Sequence, residues 1–162
     1  MSVSKPIYGS NNQSITATTL KTLGNAAACS SLAVDNTSNL FLDALVSVTI
    51  KTSASALSAG ANIAIYAAGT TDGGTTYGGG EANMGTDAGV TLTSPNNIVL
   101  IGIINAPSTS AVYTKSAMSV AQAFGGILPD HWCLVFVNNT GQTLVDPTSK
   151  YVNYQGLQIQ TI

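Results

Sequence analysis

The stretch LFLDALVSVTIKT, residues 40–52, constrains the fold of this chain more than any other. Leu40, Leu42, Ala44, Val46, Val48 and Ile50 fall on one side of an extended chain, and Asp43, Ser47, Thr49 and Lys51 fall on the other. Side chains of a strand alternate between two faces, whereas a helix would scatter these apolar residues around its axis. The β-branched content points the same way. A strand with one apolar face needs a sheet, and the sheet needs a second layer to cover that face.

The rest of the chain repeats the theme. In IAIYAA, Ile63, Ile65 and Ala67 share a face, and GVTLT from Gly89 is a short strand closed by SPNN. IVLIGII from Ile98 and WCLVFV from Trp132 are apolar on both faces, which predicts central strands covered on two sides. NNTG, 138–141, has the residues of a tight hairpin loop leading into QTLV, and the last strand runs through YVNYQGLQIQTI. SAMSVAQAF, 116–124, reads as a helical turn or two. The spacing predicts an all-β single-domain sandwich, jelly-roll-like, with two antiparallel sheets of about eight short strands. Residues 1–14, rich in Ser and Asn with Ile7 and Tyr8 as the sizeable apolar groups, predict an extended N-terminal arm ahead of a domain over 15–162.

Composition narrows the function. Charged residues make up 7% of the 162, with five lysines, no arginine and a net charge of -2; soluble domains average about 25%. Nucleic acid is therefore not an expected partner, since duplex affinity rests on clustered Lys and Arg. The 44% of hydrophobic residues is broken into short segments, so no membrane span is expected, and the start MSVSKPIYGS lacks the pattern of a signal peptide. Without secretion, the Asn-x-Ser/Thr triplets at Asn36 and Asn138 carry little weight as glycan sites. What covers such a protein is Ser, Thr, Asn, Gln and Gly, a surface with little charge to desolvate when pressed against another. Cys29 and Cys133 read as buried small hydrophobes, with a single bridge left open.

The motifs with chemical associations fail on their details. In TTDGGTTYGGG, Gly73 and Gly78 have the spacing of a phosphate loop, but Gly79 and Gly80 stand where Lys and Ser or Thr are required. Asp72, Glu81 and Asp87 suggest calcium, yet the EF-hand frame from Asp72 puts Tyr77 at its glycine and Asn83 at its glutamate. The segment reads as a glycine-rich turn that presents Tyr77, an amphipathic side chain suited to an interface. His131, the one histidine, lacks the further ligands of a zinc site, and no G-x-S-x-G elbow accompanies it. SVSK at Ser2–Lys5 matches a catalytic tetrad only in letters. No catalytic residue, cofactor or metal is expected, and a small hydrolase using His131 is a distant alternative. Trp132 heads an apolar strand and is expected in the core, leaving Tyr66, Tyr77, Tyr113, Tyr151 and Tyr154 as candidate surface aromatics.

At GTTDGGTTY (69–77) and across AFGGILPDHW, VNNTGQTL and YQGLQIQ (123–160), the chain resembles small virion structural proteins of tailed bacteriophages, most closely capsid cement or decoration proteins with a jelly-roll fold. The elements that carry the likeness are Phe124-Gly125-Gly126, Leu128-Pro129, Trp132, Asn139-Thr140-Gly141 and Tyr154-Gln155-Gly156; Cys133 departs from it, standing where a small residue such as Gly follows the tryptophan. The resemblance implies a non-enzymatic protein on the outer capsid surface, with major capsid protein subunits and symmetric copies of itself, a dimer or trimer, as partners. Ile7, Tyr8, Tyr77, Tyr151 and Tyr154 are the expected interface residues, the arm reaching a neighbouring subunit by folding on binding or by adding a strand to an open sheet edge. The competing expectation is a tail, baseplate or fibre component with a glycan-binding sandwich.

Overall fold

The computed structural model describes residues 3–79, 81–93, 97–148 and 151–161. Gly80, most of the SPNN turn, Ser149 of DPTS and Ser2 of SVSK lie outside the described residues. The strands are β1 (Ser4–Tyr8), β2 (Gln13–Ser14), β3 (Ala28–Ser30), β4 (Val34–Asp35), β5 (Asp43–Lys51), β6 (Asn62–Thr70), β7 (Gly89–Val90), β8 (Val99–Asn105), β9 (Val112–Ser119), β10 (His131–Asn139) and β11 (Val152–Thr161). A front sheet has the order β1-β11-β5-β9 with β2 also on β11, and a back sheet has the order β7-β3-β10-β6-β8 with β4 also on β10. All pairings are antiparallel. Without the short β2, β4 and β7, the orders β1-β11-β5-β9 and β3-β10-β6-β8 interleave eight strands between two sheets, the arrangement of a jelly roll.

The main core lies between the sheets. Ala44, Val46, Val48 and Ile50 of β5 face Ile63, Ile65 and Ala67 of β6 and Trp132, Leu134 and Phe136 of β10. Trp132 meets Tyr154 of β11 edge to face, with ring centroids 5.6 Å apart. Glycine lets rings approach the strands closely: a Cβ at Gly156 would lie 2.3 Å from the Phe41 ring, and one at Gly69 would lie 2.9 Å from Phe124 and 2.6 Å from Pro129. These glycines and rings therefore shape packing.

Four expectations are corrected. The strand in LFLDALVSVTIKT begins at Asp43; Leu40 turns left-handed at φ 52 and, like Leu42, is exposed. SAMSVAQAF is not helical at its start, because Ser116–Ser119 complete β9 and only Ala121–Phe124 form a 3₁₀ turn, stopped by Gly125 at φ 77. IVLIGII is not a central strand: β8 ends the back sheet, with its second apolar face open to solvent. QTLV forms no ladder, and Val145 makes a single bridge to Lys51. No helix among the described residues is long and apolar enough to cross a membrane.

Candidate interaction surface

The glycine-rich segment does more than turn the chain. It begins an excursion over the outer face of the back sheet, where Tyr77, Met84 and Ile98 pack with Ala68, Cys133, Val135 and Val90 of the sheet as a second apolar layer. Asp72 organises its start: the carboxylate accepts from the Thr70 hydroxyl and from the backbone N–H groups of Thr75 and Thr76 at 3.1 and 2.9 Å, which hold it well below the usual carboxylate range. Glu81 accepts from Thr93, and Asp87 from Thr18 and Thr19. The three carboxylates considered for calcium thus each tie a different turn. Gly74 lies against the His131 ring, whose Nε2 and Nδ1 stand 3.8 Å from Asp35 and Asp130 respectively. The Gly73 N–H donates to the Asp130 carboxylate at 3.3 Å, which ties the covering segment to the start of β10.

The cysteines are separate and unbridged, Cys29 in the main core and Cys133 in the outer layer. Burial pushes their thiols up to about 12 and about 11, so neither is a reactive thiolate near neutral pH. Asn36 and Asn138 are buried and fully engaged: Asn36 bonds the Phe41 backbone in both directions at 2.9 Å, and Asn138 donates to the carbonyls of Leu23 and Gln142 at 2.8 and 2.7 Å.

The outer face of the front sheet has no such cover. Alternation along β5 and β11 turns Ser47, Asn153 and Gln155 outward while Val46, Val48 and Val152 go in. Two left-handed residues bound this face. Asn12, at φ 53, turns β1 into β2, and Ala117, at φ 58, sits in a bulge where Ser116 and Ala117 oppose Ser47 alone. Between them runs an open groove of about 330 Å³ lined by Asn11, Asn12, Ser47, Ser116, Asn153 and Gln155 with Leu45. Gln155 bonds the Gly9 carbonyl at 3.1 Å and the Asn11 side chain, fixing one wall. No charged side chain is among the described residues lining the groove.

The expected interface residues divide. Tyr8, 63% exposed, is open to solvent on β1 and Ile7 is half-buried. The arm does add a strand to a sheet edge, but the edge is its own: Ser4–Tyr8 pair with Leu157–Thr161 of β11. Tyr77, at 7% exposure, is a core residue of the outer layer, not a presented side chain, because the turn faces the sheet. Tyr154 is also buried, its ring turned inward against Trp132. Tyr151 is half-buried under the Lys21 ammonium, 4.6 Å from its ring centre. The structure brings Ile7, Tyr8 and Tyr154 onto neighbouring strands and leaves Tyr77 on the other sheet. Of the groove residues only Ser47 was marked in the sequence, on the polar side of its alternating strand; the bulge that shapes the groove had no sequence signal. The chain matches no family model, no curated protein and no solved structure.

Proposed function

We propose that this chain is a non-enzymatic virion structural protein, a capsid cement or decoration protein that binds the assembled shell across its subunits and stabilises it. The observation that supports this reading is the front-sheet groove, a fixed hydrogen-bonding surface with no charged side chain among its described lining residues. Amides and hydroxyls lose less on desolvation than charges do, and their contacts are not screened by salt. Such a face suits permanent contact with another protein. The phage shell enters through the likeness of residues 69–77 and 123–160 to virion proteins. Binding only the assembled shell would stabilise it by mass action, and symmetric copies would add avidity. Exposed Tyr8, at the rim of the same face, extends the contact.

The test is occupancy on purified tailed-phage capsids lacking this chain. The wild type should bind with a copy number that scales with shell subunits, and added salt should not release it. Ser47→Arg and Asn153→Arg, which place a charge in the groove, should lower occupancy without changing thermal unfolding. Unchanged occupancy would sink the groove's role, and a copy number fixed by tail symmetry would move the chain to the tail. The amide-lined groove also favours a second reading, a glycan-binding tail or fibre component. Tyr154 is among the groove's lining residues but is 8% exposed with its ring edge-to-face on Trp132, which leaves little ring face for stacking; saturable sugar binding is the result that would favour this reading.

A further inference from the structure

β11 outlasts the strand beside it. β5 begins at Asp43, opposite Leu157, whereas β11 continues to Thr161 with β1 alone at its side. The β5 register, extended, would set Phe41 against Ile159. Phe41 does not take that place, because the Asn36 side chain holds both of its backbone groups, accepting from the N–H and donating to the carbonyl at 2.9 Å. Its ring lies instead against Gly9 and Gly156. The last tie to β11 on this side is the Leu42 N–H, which donates to the Leu157 carbonyl at 2.7 Å. We propose that the open edge of β11 beyond it, Ile159 to Thr161, receives an extended segment of a shell subunit as an added strand.

The backbone phase defines the free groups. The Gly9 N–H donates to the Gly156 carbonyl at 2.8 Å and the Thr49 N–H to the Tyr151 carbonyl at 2.7 Å. Bonded pairs alternate along an antiparallel ladder, so even residues of β11 face β1 and odd ones face β5. Gln158 and Gln160 therefore bond Ile7 and Lys5, while the N–H and C=O groups of Ile159 and Thr161 point to the open side. Among the described residues no backbone bond reaches them there. Leu157–Thr161 carry no charge, proline or bulge against pairing; Lys5 and Pro6 stand on β1, across the ladder from the open side. This two-stranded end of the sheet is largely exposed on both faces, and two strands alone are marginal in water. A third strand completes it.

The surroundings describe the strand that fits. The Leu42 carbonyl accepts from the Leu128 N–H at 3.0 Å, which brings the exposed Leu42 and Ile127 beside the open edge with exposed Ile159. The nearest carboxylate, Asp43, is taken by the N–H groups of Ala44 and Ala121 at 2.7 and 2.9 Å. The fitting segment is thus uncharged, with an aliphatic side chain set against Ile159. A second copy supplies too little: about a twofold axis only Ile159 and Thr161 would bond each other, far short of the roughly 1,200 Å² of a stable interface. A larger partner that also covers the front face has no such limit. Outward positions of β11 run from Asn153 and Gln155 in the groove to Leu157 and Ile159 at the open edge, so one strand carries both contacts. The source of the added strand rests on the virion reading above.

The test uses the full chain and purified tailed-phage capsids lacking it. Ile159→Pro removes the N–H aimed at the open side and leaves the bonds to β1 in place, as Pro6 does on the opposite strand. It should weaken capsid binding about tenfold or more, with the unfolding midpoint unchanged, while Ile159→Val, which keeps the N–H, should bind as the wild type does. In hydrogen exchange the Ile159 and Thr161 amides should exchange fast in the free chain and lose that fast exchange on the capsid. Wild-type occupancy by Ile159→Pro, or fast exchange at both amides in the bound chain, would overturn this proposal alone. A wild type that leaves capsids bare would overturn the virion reading and this proposal with it. Slow exchange at the two amides in concentrated chain without capsids would give the edge to a second copy and overturn the shell segment. The exchange result decides the matter if the proline variant does not fold.

Discussion

On the outer face of the back sheet, Cys133, Val135 and Ala68 lie beneath Tyr77, Met84 and Ile98. On the outer face of the front sheet, Ser47, Asn153 and Gln155 meet solvent directly. Both faces belong to strands with apolar inner residues, and the difference begins in the outward positions. β10 reads apolar on both sides and requires a cover, which the chain supplies from the excursion between β6 and β8. β5 and β11 read apolar on one side only, and among the described residues no second apolar layer lies over their outer face. The longest excursion covers one end of the back sheet's outer face, beside an open, mostly apolar groove of about 620 Å³ along Ala28, Val90 and Val137, whereas the front face carries the smaller groove lined by amides and hydroxyls.

Trp132→Ala gives the largest expected effect, because it empties the centre of the main core. Fully buried aromatics lose about 3–5 kcal/mol on truncation, and the Tyr154 ring would lose its edge-to-face partner. Denaturant unfolding should remain one transition with a much lower midpoint. Tyr77→Ala attacks only the cover. Burying a large apolar side chain is worth about 1.5–3 kcal/mol, and part of that loss is local here because the sheet beneath has its own ladder. Cys133 should then react with a thiol reagent under native conditions while Cys29 stays protected. Equal protection of both cysteines would show that the outer layer does not depend on Tyr77.

Much of this was legible in the sequence. The alternation of Ala44, Val46, Val48 and Ile50 defined a strand and its inner face, and the two-faced apolar run from Trp132 marked the central strand β10. The same rule misplaced β8, since an apolar run tells that both faces lack polar groups, not that both are covered. Tyr77 was misread for a related reason: glycine content signals a turn, but the side to which a long turn folds depends on distant contacts, here the His131 ring against Gly74 and the Asp87 carboxylate on Thr18 and Thr19. The arm's docking on β11 and the bulge at Ala117 likewise depend on strand register, which composition does not encode.

Alkaline pH offers the finest probe of the two layers. Burial raises the Cys133 thiol from 9.0 to about 11, against the smaller opposing effect of bonds from Ser30 and Gly85. Tyr77 beside it is raised from 10.0 to about 12 by burial and by the charges of Cys133, Asp130 and Asp72. In the main core, burial and then the Asp87 charge raise Cys29 from 9.0 to about 12. Each folded value lies above the unfolded one, so the fold holds the proton more tightly than the open chain does. The stability this contributes is complete below the unfolded value and is lost as pH rises toward the folded one. Urea midpoints should therefore be flat from neutral pH to about 9 and fall between about 9 and 12. Cys133→Ala should make the fall between 9 and about 11 shallower, leaving the contributions of Cys29 and Tyr77. As pH climbs, alkylation should reach Cys133 before Cys29, because the covering segment can lift without opening the sandwich. Simultaneous alkylation of the two thiols would mean that cover and core open as one unit, and the distinction between the layers would then be one of geometry alone.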